Sequence, residues 1–282
     1  MRADAVPHLA RYALFVVMAG ILAGIAIGAA PAVAAPDAGC KQRAVDRLEA
    51  LAPSGFLVYQ QIKDKQFFTR WIACDDVLLG LPTAVHESVH HLTQDHDAFP
   101  LMDLSYIKRP HEISKFFAPS VIAGKFQRDE LVSTYLRPGT SSSSTDFLYL
   151  LDELNAYTHD LDASVALDGL RPHNEQVDSR DGLAALMAFV AIYVETAEES
   201  HPETWRGLHE PSVAQTVSAL WSQAEKIMAS SCGIANFGHD DQSFIKQFCE
   251  AKPQASLAKI LNRPPVCPVA CLSAAPKSAA QR

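Results

Sequence analysis

No run of five or more basic residues occurs in this chain. Its 24 lysines and arginines are outnumbered by 32 aspartates and glutamates, for a formal charge of −8, which argues against nucleic acid as a partner. There is no repeat at a period of 20–50 residues, and the 13 glycines and 17 prolines are ordinary numbers for this length. Solenoid, collagen-like and low-complexity classes are therefore excluded. No C-x2-C pair exists, which disfavours a cysteine-rich zinc knot. Charged residues make up only 20% against 48% apolar, too little charge for a disordered chain and enough apolar side chain for a real core. At about 100–200 residues per domain, 282 residues make one large domain or two small ones.

Arg2 and Arg11 flank the start of an apolar run from Tyr12 to Ala30, followed by small residues through Ala35. A positive n-region, an apolar h-region and the Ala32-Val33-Ala34 site read as a signal peptide over 1–34. An uncleaved anchor competes, because 19 apolar residues come close to spanning a bilayer, but the run is rich in Gly and Ala and ends in cleavage-type residues. A lipoprotein signal fits less well, because Asp37 stands where an aliphatic residue belongs before Cys40. Removing 1–34 takes away Arg2, Arg11 and Asp4 and moves the net charge from −8 to −9. No later stretch reaches 18 uninterrupted apolar residues, so the mature chain is expected to be soluble, secreted or periplasmic, with no membrane contact after cleavage. All six cysteines lie beyond the signal, which suggests disulfides. Fifteen pairings are possible; sequence proximity favours Cys40–Cys74, Cys232–Cys249 and Cys267–Cys271.

Patterning predicts an α+β, mostly helical fold, one domain over 35–271 and a disordered tail over 272–282. A short helix is expected from Lys41 to Leu51. Gly55 to Ile62 and Gln66 to Cys74, rich in aromatic and β-branched residues, read as a hairpin. Thr83 is the expected N-cap of a helix carrying Val85, Val89 and Leu92 on one side. Leu101 to Lys108 reads as a third strand, a possible edge for an extended peptide. Short helices are expected within 111–124 and 127–136, and loops over Gly139 to Thr145 and 169–180. Asp146 caps a helix from Phe147 to about Ala166, and further helices are expected at Leu183–Glu199, Ser212–Ser230 and Gln242–Ala251.

His86-Glu87-Ser88-Val89-His90 is an HExxH pattern. Residues i and i+4 share a helix face, so His86 and His90 can offer two imidazole nitrogens to one zinc ion. Glu87 is placed to take a proton from a zinc-bound water. With 11 histidines in the chain, composition alone would yield the pattern about 0.02 times, so chance is a poor explanation. A catalytic zinc ordinarily takes three protein ligands. Glu153 flanks the apolar stripe of the Asp146-capped helix, where a carboxylate needs a partner, and the small Ala156 would let two helices approach closely.

HESVHH at 86–91 followed by LLDELNAY at 150–157 resembles the gluzincin branch of HExxH zinc peptidases. The resemblance covers roughly residues 80–160 and implies a zincin-like domain, with a small sheet beside the HExxH helix, acting on peptide or protein substrates. It implies His86, His90 and Glu153 as zinc ligands and Glu87 as general base. Tyr157, one turn past Glu153, is the favoured oxyanion donor, with Tyr135, His159 and His111 as other groups of the right type. Asp152 or Asp160 could orient a ligating histidine.

A rival ligand set keeps His96, which completes HExxHxxTxxH with Met102 nearby. Metzincins carry Gly where Thr93 stands, and a β-branched residue tolerates the required positive φ poorly. His91, Glu112, Glu130, His159 and Asp160 are lesser ligand candidates. A non-catalytic zinc-binding protein and a hydrolase of a non-peptide bond are the remaining functional alternatives; an intact Glu87 speaks against the former.

Overall fold

This computed structural model describes residues 39–273 except Leu104, Glu112, His173 and Asn174. The signal segment at 1–34, the ligand candidate Glu112 and the tail from 274 onward lie outside the described residues. The chain is mostly helical. Its elements are, in order, α1 (Cys40–Leu51), α2 (Pro53–Gln61), α3 (Lys65–Thr69), α4 (Val77–His96), β1 (Ala98–Pro100) and β2 (Tyr106–Lys108). These are followed by α5 (Glu130–Tyr135), α6 (Phe147–Leu167), α7 (Asp181–Ser200), α8 (Pro202–Leu208) and α9 (Pro211–Ser231). The last three are α10 (Asp241–Phe248), α11 (Ala251–Leu261) and α12 (Val269–Ser273).

The expected hairpin over 55–74 is not formed; that stretch is α2 and α3. Pro53 sits at the first position of α2, where its missing N–H costs nothing. Gly55, Val58 and Ile62 are buried at helical spacing. An ideal Cβ on Gly55 would touch both Leu48 and Val85 at 3.1 Å. Burial of a helical face against α1 and α4 therefore outweighs the β-leaning composition. In α3, the Asp64 side chain accepts the Gln66 N–H at 2.9 Å as an N-cap, and Phe68 is fully buried.

α4 begins about two turns earlier than expected. Its cap is Asp76, whose carboxylate accepts the Leu79 N–H at 3.0 Å, and Thr83 lies inside the helix with its hydroxyl donating to the Leu79 carbonyl at 2.8 Å. Pro82 also lies inside the helix, one turn before His86. Asp97 at φ 47° closes the helix and sends the chain into a two-stranded antiparallel sheet pairing Ala98 with Lys108 and Pro100 with Tyr106. Only Tyr106–Lys108 of the expected third strand is extended into it.

Two apolar clusters meet at α6. One surrounds α7, whose residues from Asp181 to Ala197 are all buried. The other joins α1–α4. α6 gives Leu150, Leu151, Leu154 and Leu161 to the first and Ala156, Ala163 and Leu167 to the second. Each fully buried leucine contributes about 1.5–3 kcal/mol. The small residues on the second side let α4 and α6 pack against each other more extensively than any other pair of elements. Asp146 caps α6 as expected, accepting the Leu148 N–H at 2.8 Å.

Three disulfides are formed: Cys40–Cys74, Cys232–Cys271 and Cys249–Cys267. The first matches the proximity guess. The other two overturn it: α12 folds back against α9 and α10, so spatial neighbours replace sequence neighbours. Three closed disulfides suggest an oxidising, extracellular environment. No helix among the described residues is long and apolar enough to cross a membrane.

Candidate metal centre

His86 and His90 lie on the α4 face that packs against α6, and Glu153 answers from α6. The two Nε2 atoms are 3.1 Å apart. Glu153 Oε2 is 3.6 Å from His86 Nε2 and 3.4 Å from His90 Nε2. A point equidistant from all three atoms lies about 2.0 Å from each, the length of a zinc–nitrogen or zinc–oxygen bond. A tetrahedron with such bonds has edges of roughly 3.3–3.4 Å, close to the three observed. Glu153 Oε2 is buried and makes no hydrogen bond. An orphaned carboxylate oxygen aimed at two imidazole nitrogens is costly unless a cation sits between them. The group could hold a metal ion.

The charges agree with this. Burial alone would raise the Glu153 carboxyl, but the two histidines bring it down to about 2. Burial alone would lower His90, but the hydrogen bond to Asp152 and the negative charge of Asp152 and Glu153 bring it up to about 10. Both shifts have one cause, negative charge from Asp152 and Glu153 facing imidazole nitrogens that can carry positive charge. His90 Nδ1 donates to Asp152 Oδ2 at 2.7 Å, and Asp152 is only 3% exposed. That bond leaves Nε2 as the atom facing Glu153, the arrangement by which ligating histidines are held. Asp160 Oδ2 stands 3.8 Å from His86 Nδ1, too far for a hydrogen bond. Burial pushes its carboxyl up to about 6.

Glu87 is half-buried on the next position of α4, and its charge is one of those felt by the Tyr135 hydroxyl. The Tyr157 ring meets the His86 ring edge-on, centroids 4.6 Å apart. Its hydroxyl is 2.6 Å from that of Tyr135, which α5 supplies. Burial drives both phenols well above the ordinary tyrosine value, so both are neutral donors. A cavity of about 830 Å³ lies alongside, bordered by Pro82, Thr83, Glu130, Tyr135, Tyr157 and Asp160.

The other candidate histidines are elsewhere. His96 ends α4, exposed, its ring against Tyr106 at 4.5 Å. Ten residues past His86, it is about 15 Å further along the axis. Because the helix runs straight through Thr93 to Asp97, the turn a third histidine would need does not occur, and His96 is not brought to the centre. His91 faces away, stacked on Phe67 at 4.6 Å. His111 is exposed and 2.8 Å from Asp97. His159 is buried, 3.2 Å from the Pro100 carbonyl, and burial lowers it to about 4. It pins β1 to α6, as does Asn155, whose amide donates to the same carbonyl at 2.9 Å. Gln223 of α9 completes this tie, donating to Asn155 and accepting the Met102 N–H at 3.2 Å. These tethers and the Tyr135–Tyr157 pair have no signature in sequence, since each joins residues far apart in the chain.

No known protein family, no curated protein and no solved structure matches this chain.

Proposed function

We propose that this chain is an exported zinc metallopeptidase with a zincin-like site, delivered by the 1–34 signal segment. The observation that carries the reading is the His86–His90–Glu153 triangle, whose edges suit three vertices of a zinc tetrahedron and whose carboxylate oxygen is otherwise orphaned. Two imidazoles and one carboxylate form a donor set that suits zinc better than calcium or magnesium. When bound, zinc would polarise a substrate carbonyl and acidify a water in the open position.

The chain's own groups divide the remaining work. Glu87 accepts the proton of the attacking water and passes it to the leaving amine. The Tyr157 hydroxyl, with Tyr135 behind it, donates to the oxyanion. Asp152 holds His90 in the tautomer that presents Nε2. The cavity beside Tyr157 receives one side of a peptide or protein substrate, and the short β1–β2 sheet flanks the helix that carries Glu87.

Glu87→Gln is the direct test, read against peptide pools with and without chelator. The variant should keep one zinc per chain and lose roughly 100-fold or more in turnover. Wild-type hydrolysis that persists when zinc is removed, or a zinc-loaded wild type that cleaves no peptide, would sink the peptidase reading.

A further inference from the structure

Gly182 occupies a place where glycine is a poor choice for the helix. It lies in the first turn of α7, buried, with an ordinary helical backbone, and there alanine would be favoured by up to about 1 kcal/mol. Its reason is space. An ideal Cβ on Gly182 would stand 2.0 Å from Tyr157 Cε1, 2.3 Å from Cδ1 and 2.8 Å from Cζ. The Tyr157 ring therefore rests directly on the glycine backbone. Elsewhere the same ring meets His86 edge-on, and its hydroxyl reaches Tyr135. Gly182, Tyr157 and Tyr135 all border the cavity.

The turn that carries Gly182 is anchored. Arg180 donates to Asp241 Oδ2 at 2.7 Å, to Ser231 Oγ at 3.0 Å and to the Ser231 and Ile234 carbonyls at 2.6 and 3.1 Å. Both members of the Arg180–Asp241 pair are about 5% exposed at the side chain. Asp181 accepts the backbone N–H groups of His239, Asp240 and Asp241 at 2.8, 3.1 and 2.9 Å. Buried ion pairs of this kind add little net stability, but they fix geometry when every group is paired. A side chain added at 182 would meet a turn that cannot recede, and the tyrosine would move.

Building on the peptidase reading, we propose that Gly182 is a positioning residue. It is the stop against which Tyr157 rests, so that the ring stays against His86 and the hydroxyl stays on Tyr135 at the cavity wall. The anchored Arg180–Asp181–Asp241 knot keeps that stop in place.

The test is a thermal cycle over wild type, Gly182→Ala, Tyr157→Ala and the double variant. Gly182→Ala should lower Tm by roughly 5–10 °C through overpacking. In the Tyr157→Ala background the same change should leave Tm unchanged or raise it by about 2–4 °C, because the clash is gone and alanine is the better helix former. If Gly182→Ala is too unstable to purify, recovery of soluble protein in the double variant gives the same answer. An equal loss in both backgrounds, or no loss in either, overturns the contact. A kinetic arm then tests the consequence. Gly182→Ala should lower kcat at least about tenfold with KM and zinc content unchanged, and should cost nothing further in a Tyr157→Phe background. A fall in zinc content or a rise in KM at unchanged kcat overturns the positioning role. Should the wild type cleave no peptide, the peptidase reading fails, while the thermal cycle still decides whether Gly182 holds the ring.

Discussion

Asp152 makes one hydrogen bond that fixes a whole site. It is buried, it touches the proposed metal only through His90, and its second oxygen has no hydrogen bond. Removing an outer partner of a ligating histidine ordinarily costs about 10–100-fold in metal affinity. Asp152→Asn should therefore weaken zinc binding by that factor in a competition titration with a chromophoric chelator, while the stoichiometry at saturation stays at one. Unchanged affinity would make Asp152 a packing residue. The His90 proton makes a second, independent expectation. Its folded-state value of about 10 lies above the unfolded value near 6.5, so without metal its contribution to stability is full below pH 6.5 and lost as pH rises toward 10. Zinc must displace that proton. The rise in Tm on adding zinc should therefore grow between pH 6.5 and 9; a shift that shrinks over this range would contradict the assignment of His90 as ligand.

In α4, a 20-residue helix carries the site despite an internal proline and glycine. Gly80 is there because the segment after α3 passes against it: an added Cβ would stand 2.6 Å from the Ala73 backbone nitrogen. That segment is held by the Cys40–Cys74 bridge, so it cannot yield easily. Gly80→Ala should destabilise the chain by about 1–3 kcal/mol in denaturant unfolding, where an ordinary helical glycine would gain from the same change. An increase in stability would mean that the contact is absent. The same region marks where sequence patterning stopped being informative. HExxH and the LLDELNAY stretch were legible because their chemistry and their 3.6-residue periodicity are local, and the elements that hold them, α4 and α6, follow. The 55–74 stretch was misread because Phe56, Val58, Tyr59 and Phe68 favour strands locally, whereas the burial of Val58 and Ile62 one turn apart is set by α1 and α4. Gly182 under Tyr157 and Gln223 behind Asn155 were not legible at all. Nothing in the chain between 157 and 182, or between 155 and 223, encodes that two side chains will meet.

Across the molecule, α6 is shared between two apolar clusters, and the Cys232–Cys271 bridge is buried within the first. Cys40–Cys74 closes a separation of 34 residues around α1–α3, and Cys232–Cys271 one of 39 around α10–α12. In the chain-entropy picture each is worth about 3–4 kcal/mol. Non-reducing peptide mapping should recover Cys40–Cys74, Cys232–Cys271 and Cys249–Cys267, and a Cys40→Ser/Cys74→Ser double variant should lose about that much stability with zinc stoichiometry intact. The metal centre depends on the α4–α6 contact rather than on any bridge, so loss of zinc in that variant would show that the α1–α3 cover is part of the site. The most direct measurement is zinc K-edge X-ray absorption on the loaded chain. Two imidazoles and oxygen donors, at about 2.0–2.1 Å, are expected from His86, His90, Glu153 and a solvent ligand. Three imidazoles, or a shell unchanged by Glu153→Ala, would contradict the assignment of Glu153 to the metal.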